Sequence, residues 1–268
     1  MRAQVVVVTG ATRGIGLGLA KELSSRGARV VICGRSQESV DKALAELGGG
    51  EAITGIPCDV SNPADLQALW DHAVASYGKV DHWINNAGMS IPRKPLTDLS
   101  PTEIDRIIDV NLGGVVHGTA VPMRGMTAQG SGVIWNMEGF GSGGQMSEMM
   151  SVYGATKRAL NYFTESMAKD LKDGPVSIAL LSPGIVKTDL LVEDYAGQPE
   201  LWEKSKKFFN ILGDTVEDVT PVLAEGVLTK GKNGAKVAWL TTPKAAGRFF
   251  SAFVLRKKRH VFDDITVV

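Results

Sequence analysis

The run Val5-Val6-Val7-Val8-Thr9-Gly10-Ala11-Thr12-Arg13-Gly14-Ile15-Gly16 decides the fold class of this chain. Four β-branched residues in succession are typical of a strand that is buried on both faces of a parallel sheet. The glycine turn predicts a helix that begins there and continues to about Ser25. Glycines let a backbone approach a ligand closely, and the free N–H groups of a first helical turn suit a pyrophosphate. The order of strand, glycine turn and helix therefore favours a dinucleotide site, although a glycine-rich turn can also be purely structural.

The alternation of strands and helices continues along the chain without a break in composition or an internal repeat. Five further strands are predicted, at Arg29–Cys33, Ala52–Cys58, Val80–Ile84, Gly132–Met137 and Val176–Leu181. Six alternations predict an α/β fold, a single doubly wound parallel sheet of the Rossmann type with helices on both faces. We expect one domain over residues 1–268, with a lid over the substrate at about 185–220 and a C-terminal helix at about 243–258.

Charge and composition exclude several classes of function. The chain has 29 basic and 29 acidic residues, so no overall field attracts nucleic acid. The four histidines show no metal-ligand spacing, and we expect no metal: they are His72, His82, His117 and His260. The two cysteines, Cys33 and Cys58, indicate a reduced intracellular protein without disulfides.

The end of the second predicted strand bears on the choice of nucleotide. An NAD site normally has an acid there for the ribose 2′-hydroxyl, whereas this chain has Gly34-Arg35-Ser36. Arg35, together with Arg13 of the glycine turn, can neutralise a 2′-phosphate, which favours NADP. The alternative is a pair of solvated arginines. Asp59-Val60 follows the third strand, where the carboxylate can accept from adenine or can cap the next helix.

Two polar positions lie further along. Asn85-Asn86-Ala87-Gly88 follows the fourth strand, and its small residues suit a backbone that lies against a cofactor. A long helix is predicted to begin at Ser100-Pro101-Thr102-Glu103, which has an N-cap, an early proline and a capping-box acid. Asn111 falls inside this helix, where an asparagine is unfavourable unless it has a partner.

Tyr153 and Lys157 are four residues apart, so they share one face of a predicted helix. An ammonium within about 4–6 Å of a phenol can lower the phenol's pKa by roughly 1–3 units and prepare it for proton transfer. Alone, such a pair is usually an ordinary helix surface.

Taken together, the ordered motifs resemble the classical short-chain dehydrogenase/reductase family. The matching segments are Thr9-Gly10-x-x-x-Gly14-x-Gly16, Asn85-Asn86-Ala87-Gly88, Asn111, Tyr153-x-x-x-Lys157 and Ser182-Pro183-Gly184. The resemblance implies a nicotinamide-dependent oxidoreductase in which Tyr153 exchanges a proton with a carbonyl or alcohol oxygen. It further implies that Lys157 also binds the nicotinamide ribose, that Asn111 holds a relay water, and that Thr188 contacts the carboxamide beside Pro183 and Gly184.

One position departs from the family pattern. The family's usual serine corresponds to Gly139, within Asn136-Met137-Glu138-Gly139. Ser142 follows in a glycine-rich loop, and we expect this loop to carry its hydroxyl into the catalytic position. If it does not, the substrate oxygen keeps only the tyrosine as a donor, and losing one such donor typically costs about 10²–10³ in rate.

The same loop and the tail resemble the chlorophyll b reductase branch of this family. The segments concerned are Asn136 to Gly144, Tyr153 to Lys157, Leu240-Thr241-Thr242-Pro243 and Phe262-Asp263-Asp264. The branch uses NADPH to reduce the formyl group of chlorophyll b, giving 7-hydroxymethyl chlorophyll. We therefore expect NADPH as cofactor, a large apolar substrate and a homo-oligomer, in the cytoplasm if the source is bacterial or in the chloroplast if a transit peptide has been removed.

The stretch from Ile185 to Leu212 supports a large apolar substrate, because it is rich in aromatic and aliphatic residues and follows the sixth strand. A lid that packs on its own core explains the same composition. Reduction of another aldehyde or ketone and a non-catalytic NADP-binding sensor or scaffold are the alternative functions. Finally, Phe249, Phe250, Phe253 and Val254 beside Arg256-Lys257-Lys258-Arg259 are compatible with a membrane surface or with a helix packed on the domain or on a second subunit.

Overall fold

The computed structural model describes residues 2–267 and contains one sheet of seven parallel strands. In chain order these strands are β1 (Val5–Val8), β2 (Arg29–Gly34), β3 (Ile53–Pro57), β4 (His82–Asn85), β5 (Gly132–Met137), β6 (Val176–Ser182) and β7 (Lys236–Ala238). Their order across the sheet is β3-β2-β1-β4-β5-β6-β7. The direction of winding reverses between β1 and β4, and sheets of this type bind ligands at that point, beyond the carboxyl ends of the strands. The predicted doubly wound sheet is confirmed.

Ten α-helices connect or flank these strands in the part of the chain that the structure describes. They are α1 (Gly14–Ser25), α2 (Gln37–Glu46), α3 (Pro63–Tyr77), α4 (Pro101–Ile108), α5 (Gly114–Gln129), α6 (Ser151–Asp170), α7 (Asp189–Glu193), α8 (Pro199–Leu212), α9 (Val216–Thr229) and α10 (Thr242–Phe253). A short 3₁₀ helix at Leu96–Asp98 precedes α4.

Strand β1 shows why the sheet has a core on each face. Successive side chains of a strand point to opposite faces, so Val6 and Val8 join one apolar cluster while Val5 and Val7 join another. All four residues are buried. The β-branched run at the start of the chain therefore contributes to the core on both faces of the sheet, where the sequence predicted helices.

Three elements differ from the sequence prediction. Strand β7 was missed, because three residues paired only at the sheet edge give no recognisable pattern. The helix predicted from Ser100 is interrupted by a π-helical turn at Asp109–Gly113. The C-terminal helix ends at Phe253 rather than at about 258, because the chain turns with Arg256 at φ +52° and then brings Arg259 to Asp214, 2.7 Å away.

The lid segment, residues 185–220, contains α7, α8 and the start of α9. Its large aromatic side chains pack on one another and on the tail in a separate cluster that includes Tyr195, Trp202, Phe209 and Phe262. Tyr195 and Trp202 meet edge to face, with ring centroids 5.3 Å apart. Of the two explanations for the apolar stretch, packing on its own core therefore accounts for these side chains.

The two cysteines lie side by side at one end of the sheet. Cys33 is in β2, and Cys58 directly follows β3, where its N–H donates to the carbonyl of Gly34 at 2.8 Å. Both are buried. A hydrogen bond with Cys33, followed by burial, raises the pKa of the Cys58 thiol.

Candidate active site

The glycine turn after β1 and the loop after β4 are held together by hydrogen bonds. The hydroxyl of Thr9 accepts from the N–H groups of Asn86 at 3.0 Å and Ala87 at 3.1 Å. The side-chain amide of Asn86 donates to the carbonyls of Thr9 at 2.9 Å and Gly10 at 3.0 Å. A Cβ on Gly10, whose φ is +61°, would lie 2.7 Å from the Ala87 Cα. Glycine is therefore required at this position.

The first turn of α1 is suited to bind an anion. Arg13 is the N-cap residue, its side chain makes no capping hydrogen bond, and no acidic residue lies in the first turn. Gly14 has a φ of +55°, which keeps the backbone open where a pyrophosphate would approach. These features fit a dinucleotide, because unsatisfied N–H groups at a helix start bind phosphate.

The remaining predicted cofactor residues lie in the glycine turn, in α1 and in the segment after β6. The side chain of Thr12 covers Gly34 at the end of β2, and the methyl of Thr188 lies 3.5 Å from the position of a Cβ on Gly14. Gly184 has a φ of +75° and turns the chain after β6 against Leu240. The other predicted contacts in this region are buried or half-buried: Ile15, Gly16 and Pro183.

A cavity of about 320 Å³ lies beyond the ends of β2 and β3, a volume at the lower end of the range of about 300–1,000 Å³ for small-molecule sites. Arg35, Asp59 and Val110 line it, together with Arg106 of α4. Hydrogen bonds from Ser61 lower the pKa of Asp59 against the opposing effect of burial, and the charges of Arg35 and Arg106 lower it further. An ionised acceptor and two guanidinium groups therefore share one cavity.

The structure shows that Asp59 does not cap the helix that follows the third strand. Asn62, rather than Asp59, caps α3 by accepting from the N–H of Ala64 at 3.1 Å. The Asp59 carboxylate instead accepts from the backbone and the hydroxyl of Ser61. Val60 is buried and packs against Gly114, so its side chain contacts α5.

Arg13 and Arg35 do not meet. The guanidinium of Arg13 donates to Glu193 of α7 at 2.9 Å and lies 3.6 Å from Asp189. The hydrogen bond to Glu193 raises the pKa of Arg13, and partial burial opposes it. The ion pairs connect the glycine turn directly to the lid segment, and a shared phosphate for the two arginines stays a prediction.

The structure brings Tyr153 and Lys157 together on α6, where Gly139 covers the pair. The Lys157 Nζ lies 5.9 Å from the centroid of the Tyr153 ring and donates to the Met137 carbonyl at 3.5 Å. A Cβ on Gly139 would lie 2.5 Å from the Tyr153 hydroxyl oxygen and 3.1 Å from the Lys157 Cε. Gly139 therefore occupies the position next to the phenol that a side chain would otherwise fill.

The π-helical turn positions Asn111 beside this pair. Its side chain is fully buried, accepts from the Met89 N–H at 2.8 Å and donates to the Met89 carbonyl at 2.9 Å. A Cβ on Gly88 would lie 3.3 Å from the Asn111 Oδ1 and 3.5 Å from the Lys157 Nζ. Glycine at 88 lets both groups approach the same space. The Met89 backbone is thus the partner that an interior asparagine needs, and Asn111 meets it from within a π turn, a feature common at functional sites.

The pKa shifts of Tyr153 and Lys157 differ from the shifts that the sequence predicted. Burial raises the pKa of Tyr153, and the carboxylate of Asp194 raises it further. Burial lowers the pKa of Lys157 to about 8, with Glu138 opposing that shift. The predicted net lowering of the tyrosine pKa is wrong for this structure, because loss of hydration outweighs the effect of an ammonium almost 6 Å from the ring. The phenol therefore keeps its proton at neutral pH, as a proton donor must.

Ser142 contacts Gly139, which in turn lies next to the Tyr153 hydroxyl. It is 2% exposed, and its hydroxyl accepts from the Gly139 N–H at 3.1 Å. Its carbonyl accepts from Arg158 at 2.9 Å. The bond to Gly139 uses an oxygen lone pair and leaves the hydroxyl proton available to a substrate. A catalytic role for Ser142 stays a prediction.

A second, smaller cavity opens at Tyr153, with a volume of about 20 Å³. Both apolar and polar side chains line it, among them Ile91, Leu96, Leu99 and Met149 on one hand and Ser90, Lys94 and Ser151 on the other. Leu96 is 60% exposed and Met149 is 41% exposed, so part of the lining offers apolar contact at the surface. We call Leu96, Leu99 and Met149 the apolar rim.

Sequence reasoning missed a polar cluster that joins the lid to the loop after β4. The carbonyl of Asp194 accepts from the Arg93 N–H at 3.2 Å, and Gln198 donates to the Arg93 carbonyl at 2.6 Å. The Arg93 guanidinium lies over the Tyr195 ring and donates to Ser147 at 3.2 Å. Burial raises the pKa of the Asp194 carboxyl to about 6, while Ser90 and Arg93 oppose this. No spacing in the sequence indicates this cluster, because its members come from three separate loops.

Residues 2–267 lack two kinds of feature. No group of three or more histidine, cysteine or acidic side chains is placed to hold a metal ion. No helix in the same range is long and apolar enough to cross a membrane.

Comparison with known proteins gives consistent matches. A family model described as short chain dehydrogenase matches residues 4–199. The probable chlorophyll(ide) b reductase NYC1 of Arabidopsis thaliana, described as chloroplastic, is 35% identical over 97% of this chain and 54% of that protein. The chlorophyll(ide) b reductase NOL of Oryza sativa subsp. japonica, also chloroplastic, is 35% identical over 97% of this chain and 78% of its own length. The chain thus spans about half the length of the Arabidopsis relative.

Among solved structures, the 3-ketoacyl-(acyl-carrier-protein) reductase of Brucella melitensis, complexed with NADH, superimposes with a TM-score of 0.79. It is 25% identical and covers 90% of this chain and 98% of its own. The family and the fold of the present chain follow from these matches.

Proposed function

Because this chain belongs to the short-chain dehydrogenase family of oxidoreductases, we propose that it is an NADPH-dependent reductase of the formyl group of a chlorophyll b type pigment, giving 7-hydroxymethyl chlorophyll. The relatives' names support the substrate, and their chloroplast location supports the same location for this chain. We also propose that it acts as a homo-oligomer.

The arrangement of Tyr153 and Lys157 supports the chemistry. When bound, the nicotinamide supplies a hydride. Tyr153 donates its proton to the substrate oxygen, and its raised pKa keeps that proton in place until the oxygen becomes basic enough to take it. Lys157 supplies positive charge beside the phenol and favours the phenolate that forms. Asn111, fixed by Met89, would hold a water that returns the proton.

The observation that carries the choice of substrate is the shape of the site at Tyr153. A cavity of about 20 Å³ has room for a group little larger than a water molecule, so a small group such as a formyl fits beside the phenol. The body of a large substrate would then lie outside, on the apolar rim. A flat pigment with a peripheral formyl group fits this combination of a small cavity and exposed apolar side chains in its lining.

The experiment that tests this proposal is incubation with NADPH and either chlorophyll b or the matched pigment that has a methyl group in place of the formyl. We expect the absorption spectrum of the formyl pigment to change to that of the hydroxymethyl product, with consumption of NADPH. The methyl pigment should give neither change. No reaction with the formyl pigment would contradict the proposed substrate.

The same assay distinguishes the two alternative functions. Reduction of simple aldehydes or ketones without reaction of the pigment would indicate a reductase of another carbonyl compound, as in the 3-ketoacyl relative. NADPH binding without reduction of any carbonyl would indicate a sensor or scaffold. Gly139 is the observation that favours this last function, because no side chain there can assist the phenol.

We expect Arg35→Asp to reverse the nucleotide preference from NADPH to NADH. The new carboxylate would repel a 2′-phosphate and accept from a ribose 2′-hydroxyl. The two dissociation constants can be measured by fluorescence titration, with Arg124→Asp on the exposed surface of α5 as the matched control. Equal affinities of the unsubstituted protein for both nucleotides would contradict the assignment.

Ser142→Ala is expected to lower the rate of reduction by about 10²–10³ and to leave NADPH affinity nearly unchanged, because a donor used in the transition state is lost. Single-turnover rates and titrations measure the two quantities. Ser131→Ala, at an exposed serine between α5 and β5, is the control. Unchanged turnover in Ser142→Ala would mean that the hydroxyl only holds the loop through Gly139.

A further inference from the structure

Helix α10 leaves an aromatic face uncovered. None of its residues is fully buried. Phe249 packs on Phe208 of α8, with ring centroids 6.1 Å apart, and Phe253 stacks on Phe249 at the same distance. Beyond these contacts, Phe250 is 56% exposed and Phe253 is 71% exposed. Val254 and Leu255 continue the exposed apolar surface past the end of the helix.

The same region is locally basic in a chain whose net charge is zero. No acidic residue occurs in the sequence from 226 to 262. Arg248 and Arg259 are held by the buried Asp214, but the run Arg256-Lys257-Lys258 is exposed where the apolar face ends. On α8, beside Phe208, the exposed Lys204 and Lys207 add positive charge.

We propose that this face docks on the surface of an anionic lipid bilayer. We define the α10 surface as Phe250, Phe253, Val254 and Leu255 with Arg256, Lys257 and Lys258. Apolar side chains next to a basic run are the features of helices that lie in the interface of a membrane, where the rings enter the acyl boundary and the cations meet lipid phosphates. A protein of zero net charge with this basic segment would be steered toward an anionic bilayer with the segment facing the lipid.

Charge distribution argues against a second copy of this chain as the occupant. A twofold interface brings the same patch of both subunits together. The cations of the α10 surface would then face those of their partner. The first acids after the acid-free segment 226–262 are Asp263 and Asp264, which are already paired with His260 and Lys187. Like charges across an interface are unfavourable, whereas an anionic bilayer complements them.

The proposal can be tested by co-sedimentation of the whole protein with lipid vesicles that contain no pigment, so its result is independent of the proposed reductase activity. We expect binding to vesicles of about one part phosphatidylglycerol to three parts phosphatidylcholine, and little binding to phosphatidylcholine alone. Raising the salt concentration from about 0.1 M to about 0.5 M should release the protein, because the screening length shortens.

Two double variants separate the contributions of charge and apolar contact. Lys257→Glu with Lys258→Glu should lower the partition coefficient by roughly 10–100-fold, and Phe250→Ser with Phe253→Ser should lower it by about tenfold or more. Lys21→Glu with Lys42→Glu, on exposed positions of α1 and α2, is the matched control and should bind as the unsubstituted protein does. Thermal unfolding of each variant checks that the fold is intact.

Three outcomes would overturn the proposal. They are an absence of binding to the anionic vesicles, an equal loss of binding in the control variant, and a change of molecular mass by light scattering in the α10 variants without a change in vesicle binding. The last outcome would identify the α10 surface as a contact between copies of the chain.

Discussion

Tyr153→Phe is expected to lower the rate of NADPH-dependent carbonyl reduction by about 10²–10⁴-fold, the usual contribution of a general acid. The substitution removes only the phenolic hydroxyl, the Tyr153 atom next to Gly139, and leaves the ring on the same face of α6. NADPH affinity should therefore change little. Lys157→Ala should damage both turnover and nucleotide binding, since this ammonium is proposed to serve the phenol and the ribose.

The chain offers a matched control on the same helix. Tyr162 also lies in α6, but it is 74% exposed, so Tyr162→Phe makes the same chemical change away from the site. We expect its turnover to equal that of the unsubstituted protein. If Tyr153→Phe keeps more than about a tenth of the rate, Tyr153 is not the acid.

The pH dependence gives a second readout of this assignment. The pKa of Lys157 is lowered to about 8, so this group loses its proton at a lower pH than an ordinary lysine does. The kcat/KM for reduction should accordingly fall as the pH rises through about 8, because both the phenol and the ammonium act in their protonated forms. Glu138 is the charged neighbour that opposes the shift, and Glu138→Gln should move the fall to lower pH.

Asp214→Ala is expected to cause the largest loss of stability, on the order of 3–5 kcal/mol, the cost of removing one partner from a buried ionic cluster. The carboxylate is 3% exposed and accepts from Arg248 at 2.6 and 2.8 Å and from Arg259 at 2.7 Å. It also accepts from the indole N–H of Trp239 at 2.6 Å. Without it, two cations and an indole donor would lose their partner at once.

A loss of this size is large against a total free energy of unfolding of about 5–15 kcal/mol. It should lower the melting temperature by about 10 °C for a chain of this length. Asp173→Ala, at an exposed acid after α6, is the control. Equal melting temperatures for Asp214→Ala and the control would show that the cluster adds no net stability.

The sign of the pH effect follows from the pKa of Asp214. Burial raises it, but the hydrogen bonds from Arg248, Trp239 and Arg259 outweigh burial and leave it lowered. A group whose folded-state pKa is lowered stabilises the protein above its unfolded value of about 3.9. The stability difference between the unsubstituted protein and Asp214→Ala should thus be full near pH 7 and should shrink as the pH falls below about 4.

Local patterns predicted much of this molecule. The run Val5–Val8 and the glycines that follow it contain strand, turn and helix in adjacent residues, and the structure has all three there. The spacing of Tyr153 and Lys157 likewise predicted a shared helix face. Such features depend on neighbours in the chain, so the sequence alone expresses them.

Features that join distant segments could not be predicted in this way. Asp214 meets Arg248 and Arg259 across more than 30 residues, and Asp194 acts on Tyr153 from another loop. The direction of the Tyr153 pKa shift depended on burial, which the Tyr-x-x-x-Lys spacing does not reveal. The position of the Ser142 hydroxyl depended on a loop whose glycines permit several conformations.

Thiol labelling of the buried pair Cys33 and Cys58 would report local opening of the sheet. A thiol reagent reacts with the thiolate, and both thiols are buried while the pKa of Cys58 is raised, so the folded protein should resist labelling. Since the sequence has only these two cysteines, each modification detected by mass reports the moment at which β3 has separated from β2. The labelling rate therefore measures local opening of this edge of the sheet without any assay of activity.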